Sequence, residues 1–340
     1  MRCSCATLLA FVASIGSAPP AAADAEHVLR VSSIAPEGTS YARELRALAN
    51  DTLALTDGRV RIKPYFGAVA GEEQDAWQRV ERGQLDGVAS AAMLCEQLSP
   101  TMRVMRLPGL FHSREEAIAV LTRLKPVTDR EFEKAGARNL GGVMVGPVMM
   151  FTREPVRSLA DARHHTYWIW NADEVMKPIY PVIGFRVLPL PIYEAAHAYE
   201  QRRHDGFLAT PVAALAFQWS TLARYYSPMP IAYLVGCLVF ANRAFDELSL
   251  ADQRALSGAA AKSVAHIDEV GRQMDAQLVG GLFEKQGLRV VPPSNAFAIE
   301  FEASAVRARA ELMAQHRVDP ELVGRVEQML SEIRAREKAR

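Results

Sequence analysis

The stretch Val28-Leu29-Arg30-Val31-Ser32-Ser33-Ile34 begins the pattern that decides the fold class. It is short and rich in apolar and β-branched residues, which predicts a β-strand. A turn follows at residues 35–40, and the apolar spacing of residues 41–55 predicts a helix. Asp57-Gly58 ends that helix, and residues 60–66 alternate as a second strand. The repeated strand–helix alternation indicates an α/β fold with a mostly parallel sheet flanked by helices.

A similar unit returns later in the chain. Residues 80–88 and 199–207 each place a glutamate on a predicted helix, followed five residues later by an Asp-Gly pair that opens an apolar strand. The shared pattern is short, yet it fits two similar lobes that face each other. Two such lobes can close on a ligand by bending at a hinge.

Two apolar segments are candidates for the connections between these lobes. Residues 143–151 are apolar and punctuated by glycine, and residues 235–241 form another long apolar run. We interpret them as strands that cross from the first lobe to the second and back. Helices are expected at 269–286, 296–315 and 320–338. The predicted division is 24–148 with 236–290 as lobe I, 149–235 as lobe II, and 291–340 as C-terminal helices packing across the lobes.

The N-terminus carries the pattern of a secretory signal. Arg2 is followed by an apolar run at residues 6–15 and by the small residues Ala21-Ala22-Ala23. The run is well short of the roughly 20 residues that a membrane-spanning helix needs. We therefore predict that residues 1–23 are a cleaved signal peptide and that the mature protein is exported to the periplasm.

Composition narrows the possible partners. The chain has 39 basic and 39 acidic residues among 340, so no global charge attracts nucleic acid. Cleavage after Ala23 would leave Cys95 and Cys237 as the cysteines of the mature chain. In an oxidising compartment they could pair, and free, buried thiols are an equal alternative.

Signatures of catalysis are absent from the sequence. It contains no G-x-S-x-G, P-loop, H-E-x-x-H or C-x-x-C motif. The adjacent pair His164-His165 would point its side chains apart on a strand, which does not suit a shared metal ion. We expect no catalytic residues, no metal site, no cofactor and no enzymatic activity.

Several segments, in order along the chain, resemble one protein family. Leu107-Pro108-Gly109-Leu110-Phe111 with the following His112-Ser113-Arg114-Glu115-Glu116-Ala117 is similar to a motif of TRAP (tripartite ATP-independent periplasmic) solute-binding proteins of the DctP type. Residues 155–161, 184–191 and 238–249, and the stretch around Gly83, resemble further motifs of that family. The resemblance extends from about residue 28 to residue 260. It implies a two-lobed periplasmic binding protein fold (type II-like), a long bridging helix, and a ligand cleft between the lobes.

At one strand position this chain differs from the family pattern. The family usually has an arginine on the strand after residues 155–161, where its guanidinium binds a substrate carboxylate through paired hydrogen bonds. This chain has Trp168 at that position, within Tyr167-Trp168-Ile169-Trp170-Asn171. Two polar positions after Asp205-Gly206 are also apolar here, as Leu208 and Ala209. An atypical member without the carboxylate-binding arginine is expected to bind a ligand other than a simple carboxylate.

The candidate ligand-binding residues combine the resemblance with residue chemistry. An aromatic and methionine-rich cleft suits an uncharged, apolar or ring-containing ligand. Trp168 and Trp170 share one face of a strand, whereas a slip of one residue would place Tyr167 there instead. Ordinary core packing is the alternative for several of these side chains. The candidates are Tyr41, Phe66, Glu72, Met149, Trp168, Trp170, Asn171, Phe207, Thr210 and Tyr233.

The function predicted from these features is that of an extracytoplasmic receptor. It would capture a small organic ligand between its lobes for a TRAP-type secondary importer, with the membrane permease subunits as partners. The alternative is a periplasmic carrier of a hydrophobic or lipid-like metabolite that works with a helical-repeat partner.

Overall fold

The computed structural model describes residues 26–338, so the predicted signal peptide lies outside the described residues. Strands and helices alternate along most of this range. The strands are β1 (His27–Ser33), β2 (Val60–Tyr65), β3 (Gly87–Ser90), β4 (Ala137–Thr152), β5 (Thr166–Trp170), β6 (Arg186–Leu190), β7 (Gly206–Ala209), β8 (Tyr225–Ala241) and β9 (Arg289–Val290). The helices are α1 (Ser40–Leu55), α2 (Glu73–Glu81), α3 (Met93–Leu98), α4 (Arg114–Lys134), α5 (Leu159–His164), α6 (Tyr180–Ile183), α7 (Ala195–Glu200), α8 (Pro211–Ala216), α9 (Trp219–Leu222), α10 (Asn242–Asp246), α11 (Leu250–Gln277), α12 (Phe283–Lys285), α13 (Asn295–Ala314) and α14 (Pro320–Lys338). Short 3₁₀ helices lie at Pro100–Arg106, Lys177–Ile179 and Ile192–Glu194, and a π-helical segment at Leu278–Leu282.

The strands form one continuous sheet in the order β2-β1-β3-β8-β4-β7-β5-β6, with β9 beside β8. Strands β2, β1 and β3 are mutually parallel, and so are β7, β5 and β6. The long strands β8 and β4 lie antiparallel to each other and to their neighbours β3 and β7. Each half of the sheet is therefore a parallel α/β unit, and the two units meet at β4 and β8. This confirms the predicted two-lobed α/β class.

Both connecting strands are longer than the sequence pattern indicated. β4 and β8 pair with each other from Ala137 opposite Ala241 to Thr152 opposite Tyr225. β3 joins this ribbon near one end and β7 near the other, so each strand belongs to both halves. The register shifts between Met144 and Gly146 and again shortly afterwards, and such irregularities bend a strand locally. These irregularities lie between the two halves, and we call the paired strands β4 and β8 the hinge ribbon.

The repeated Asp-Gly pairs occupy equivalent places in the two halves. The Asp86 carboxylate accepts a hydrogen bond of 2.8 Å from the backbone N–H of Arg30 in β1, and the Asp205 carboxylate accepts one of 2.8 Å from Thr166 in β5. A Cβ on Gly87 or Gly206 would lie 2.6 Å from a carbonyl oxygen of the adjacent long strand. Glycine is thus required at both positions because the backbones approach so closely. The sequence repeat therefore reflects one local structure, an Asp-Gly pair at the start of a strand, which occurs once in each half.

The long helix α11 spans the region between the halves. It packs against α1 and β4 and, towards its C-terminus, against α8. The π-helical segment after it places Leu278 in the aromatic core of the second half, together with Phe283. The helix thus corresponds to the bridging helix that the family resemblance implied. Beyond it, α13 packs against α6, while α14 packs against α4.

A disulfide resolves the alternative left open for the cysteines. Cys95 in α3 is bonded to Cys237 in β8, with their Cα atoms 5.9 Å apart. The bond ties the helix after β3 to one strand of the hinge ribbon. Both residues are almost completely buried.

Candidate ligand-binding cleft

Two adjoining chambers lie between the halves, beside the middle of β4 and β8. They enclose empty volumes of about 880 and 800 Å³, part of which is open to solvent. Ile34 and Ala91 from the first half line both chambers, as do Thr210 and Phe217 from the second half. The first chamber extends towards α1, and the second extends towards β5 and the 3₁₀ helix at Pro100–Arg106. A ligand in either chamber would contact both halves at once.

The chambers are lined mainly by apolar side chains. Among the described residues, the charged side chains that line them are Arg106 and Asp173, both in the second chamber. Four tryptophan and tyrosine rings with polar atoms also border the second chamber, those of Trp168, Trp170, Tyr180 and Trp219. Such a lining provides a large apolar contact area with only a few polar groups to orient a ligand.

Trp168 is held firmly in the wall of the second chamber. Its indole N–H donates a hydrogen bond of 3.1 Å to the carbonyl oxygen of Leu190 in β6. Its ring lies 4.7 Å from that of Trp219 and 6.4 Å from that of Phe207, measured between centroids. The side chain offers a ligand its apolar face, because its one donor is already used.

Trp170 lies two residues further along β5 and lines the same chamber. It is 7% exposed, and its buried Nε1 has no hydrogen-bond partner. A buried indole N–H without an acceptor is costly, and most such groups in proteins are satisfied. Tyr167, which directly precedes Trp168 on β5, packs instead in the core, 5.3 Å from the ring of Phe185. The register therefore places the two tryptophans, and not Tyr167, at the chamber.

Tyr41 and Thr210 also line the cleft. The Tyr41 hydroxyl donates a hydrogen bond of 3.2 Å to the carbonyl oxygen of Val145 in β4. Burial, assisted by nearby Asp275, raises the pKa of Tyr41, which keeps this donor protonated. The Thr210 hydroxyl oxygen accepts from the backbone N–H of Ala213 and so caps α8. These contacts fix both side chains at the border between the halves.

The other candidate residues do not line either chamber. The Glu72 carboxylate caps α2 and accepts a hydrogen bond of 2.8 Å from the backbone N–H of Ile192, a contact between the two halves. Phe66 lies beneath the guanidinium of Arg46, 4.7 Å from its carbon to the ring centroid. Asn171 is exposed, and its backbone N–H bonds to Leu190. The remaining three are buried within the packed core: Met149, Phe207 and Tyr233.

Sequence analysis missed a buried charged cluster beside the second chamber. Arg106 Nη2 donates a hydrogen bond of 2.5 Å to Asp173 Oδ2, and Arg106 Nε lies 3.2 Å from Glu96 Oε1. Side chains of all three residues are at most 5% exposed. Arg106 precedes the family-like segment at Leu107, whereas Asp173 follows β5. No local pattern links residues 67 positions apart, so the sequence carried no signal for this pair.

Burial controls the charge of this cluster. It raises the pKa of Glu96 to about 8, against the opposing effect of Arg106, so Glu96 is protonated at neutral pH. Burial also disfavours the charged form of Arg106, but Asp173 and Glu96 outweigh this and raise its pKa. Arg106 therefore remains a cation. At neutral pH the Arg106 charge is balanced by Asp173.

The raised pKa of Glu96 predicts a pH-dependent stability. The folded protein keeps the Glu96 proton up to about pH 8, whereas the unfolded chain releases it near 4.5. The stabilising contribution is thus fully present below pH 4.5 and is lost as the pH rises towards 8. Between pH 5 and pH 7, the free energy of unfolding of the wild type should fall by roughly 2–3 kcal/mol relative to that of Glu96→Gln.

Urea denaturation of both proteins at several pH values measures this difference. Glu332→Gln, at a glutamate on the surface of α14, is the matched control. Parallel pH profiles for the wild type and Glu96→Gln would contradict the prediction.

Neither a metal site nor a membrane span is found in the part of the chain that the structure describes. No three or more histidine, cysteine, aspartate or glutamate side chains within residues 26–338 are grouped as metal ligands. No helix in the same range is long and apolar enough to cross a membrane.

The architecture and the cleft together define a class. Two α/β halves share a hinge of two strands, and a mainly apolar cleft lies between them, so the chain is a two-lobed binding protein. The family model for bacterial extracellular solute-binding proteins, family 7 (DctP), matches residues 31–315. The chain therefore belongs to this family, whose members bind solutes outside the cytoplasm.

Individual relatives agree with this assignment. A solute-binding protein of Chromohalobacter salexigens is 24% identical over 281 residues, covering 81% of this chain and 82% of the relative. A TRAP periplasmic solute-binding protein of the same organism, with bound D-glucuronate, has a TM-score of 0.82 at 19% identity and covers 88% of this chain and 99% of its own. One from Haemophilus influenzae, with bound L-gulonate, also has a TM-score of 0.82, at 16% identity, with 90% and 99% covered. The two structures are similar to this chain in fold.

Proposed function

We propose that this protein captures a small uncharged organic ligand between its lobes and delivers it to the membrane subunits of a TRAP-type importer. The observation that carries the proposal is Trp168 in the wall of the second chamber, on the strand where the family resemblance predicts a carboxylate-binding arginine. Its indole N–H bonds to Leu190 and its ring packs on Trp219. A side chain held in this way provides an apolar surface and no positive charge.

The ligand chemistry follows from the rest of the second chamber. Trp168, Trp170 and Trp219 supply wide apolar faces, which suit a ring-containing or aliphatic body. The buried N–H of Trp170 has no partner in the protein. We propose that the ligand supplies one hydrogen-bond acceptor for it, such as a carbonyl oxygen. The structural relatives carry D-glucuronate and L-gulonate, both carboxylates. This chain would differ from them in the charge of its ligand.

The proposal includes export of the protein to the periplasm and a movement of its two lobes. Residues 1–23 would direct export and be removed, leaving the mature receptor in the periplasm. The lobe boundaries at 148/149 and 235/236 fall towards the C-terminal end of β4 and within β8, beside the cleft. Bending of that ribbon would open the cleft, and the contact of Glu72 with Ile192 would re-form on closure. The closed pair of lobes is the state that the permease would recognise.

The decisive experiment identifies the ligand by mass spectrometry after native purification from the periplasm. Removal of the Trp170 N–H by Trp170→Phe should then weaken binding of that ligand about 2- to 13-fold, because one net hydrogen bond is lost. Titration calorimetry measures the dissociation constant.

Trp77→Phe is the matched control, because Trp77 is buried in the core of the first half and does not line the cleft. Its affinity should equal that of the wild type. A small dicarboxylate or sugar acid found tightly bound in the wild type would overturn the proposed ligand class, and an unchanged affinity in Trp170→Phe would overturn the role of Trp170.

The alternative predicted from the sequence, a carrier of a hydrophobic or lipid-like metabolite, is less favoured, because the structural relatives carry small sugar acids. Co-purification from membranes separates the two functions. Recovery of two permease subunits supports the importer, whereas recovery of a helical-repeat protein without permease subunits supports the carrier.

A further inference from the structure

The ion pair of Arg106 and Asp173 connects the two halves inside the second chamber. Arg106 ends the 3₁₀ helix that follows α3 in the first half, and Asp173 follows β5 in the second. Both side chains line the chamber and are buried, with Arg106 4% and Asp173 3% exposed. The pair thus lies where a bound ligand would also be in contact with both halves.

Asp173 is positioned by its own half of the molecule. Its Oδ1 accepts a hydrogen bond of 2.9 Å from the backbone N–H of Met176, and its Oδ2 accepts one of 3.4 Å from the hydroxyl of Tyr180. These two hydrogen bonds hold the Asp173 carboxylate in place independently of Arg106. A preorganised carboxylate of this kind presents the same group to the guanidinium that a carboxylate ligand would present.

Arg106 keeps unused donor capacity beside this carboxylate. Its Nη1 contacts the thioether sulfur of Met93 at 2.8 Å, and sulfur of this type is a weak acceptor. Its charge, in contrast, is already balanced by Asp173. Arg106 therefore offers N–H groups but no net charge to the chamber.

We infer that Asp173 is a built-in counter-ion that takes the place of a ligand carboxylate on Arg106 and makes the cleft selective for uncharged hydrogen-bond acceptors. This inference rests on the proposed function. A ligand carboxylate would bring a second negative charge next to Asp173 in a buried chamber. Because a buried charge without a partner is strongly disfavoured, acids are excluded. A ketone, ester or amide oxygen avoids this repulsion and still meets the free N–H groups.

Two probes of nearly equal shape test the selectivity. Phenylacetate and phenylacetamide differ mainly in charge, and the thermal unfolding midpoint is measured with each at 20 mM, in the wild type and in Asp173→Asn. The wild type should be stabilised more by the amide. Both proteins are compared in the Glu96→Gln background, because Glu96 Oε1 lies 3.2 Å from Arg106 Nε and would otherwise replace Asp173. Asp173→Asn then leaves Arg106 without its counter-ion, so this variant should be stabilised more by the acid, by about 3 °C or more.

The controls separate this inference from the proposed function. The double variant Arg106→Met/Asp173→Asn should lose the response to the acid. An unchanged order of the two probes in Asp173→Asn overturns the inference, as does the absence of any shift with either probe. A wild type that prefers phenylacetate overturns both the proposed uncharged ligand and this inference, whereas a wild type that prefers the amide and an Asp173→Asn variant that keeps this preference overturn the inference alone.

A second variant covers the outcome in which Asp173→Asn does not fold. Asp173→Ala, purified with sodium formate, leaves a space where a formate ion can replace the missing carboxylate. Formate should raise its midpoint above that in equimolar sodium chloride, by about 3 °C, and should have no such effect on Arg106→Met/Asp173→Ala. Equal responses of the two variants to formate contradict the inference.

Discussion

Loss of the disulfide between Cys95 and Cys237 should lower the free energy of unfolding by about 5 kcal/mol. The two residues are 142 positions apart, so the bond closes a long loop in the unfolded chain. Such a bond restricts the unfolded ensemble more than a short-range bond does, which is the basis of the estimate. The bond also ties α3 to the hinge strand β8, so its loss would loosen the cleft.

Guanidinium denaturation of Cys95→Ser/Cys237→Ser and of the wild type measures this effect. Treatment of the wild type with a reductant should reproduce the shift, and the same treatment of the double variant should have no effect. A wild type whose denaturation midpoint is insensitive to reduction would show that the bond contributes little.

Replacement of Arg106 by methionine should cost about 3–5 kcal/mol, because Asp173 would remain buried without its partner. The further change Asp173→Leu should recover most of this loss, since a well-packed apolar pair is often as stable as a buried ion pair. Urea denaturation of the two single variants and the double variant closes the thermodynamic cycle.

The exposed ion pair of Arg123 and Glu332 provides the comparison for this cycle. Arg123→Met should change stability by less than about 1 kcal/mol, since both partners are well solvated. If Arg106→Met lowers the free energy of unfolding no more than Arg123→Met does, groups other than Arg106 stabilise the buried Asp173 carboxylate.

Local sequence predicted the elements whose signals lie within a few residues. The predicted helix at 320–338 coincides with α14, and that at 296–315 differs from α13 by one residue at each end. Capping residues and proline at the first turn act locally, which explains this agreement. The Asp-Gly repeat likewise predicted two similar halves.

Elements stabilised by distant partners were less predictable. The crossing strands were expected at 143–151 and 235–241 but extend over Ala137–Thr152 and Tyr225–Ala241. Each continues because the other supplies its hydrogen bonds. The start of α11 at Leu250 was also missed, although its Ser249 cap hydroxyl accepts from the backbone N–H of Asp252.

By itself, the sequence determined the α/β alternation, the two similar halves and the family, because these depend on periodicity and on ordered local motifs. It also indicated that Trp168 stands where an arginine is expected. Only the tertiary structure decided which groups face the cleft. It turned Met149 and Phe207 into the core, brought Arg106 to Asp173, and left the Trp170 N–H without a partner. These relations join residues far apart in the chain, and their energies depend on burial and distance, which no local pattern contains.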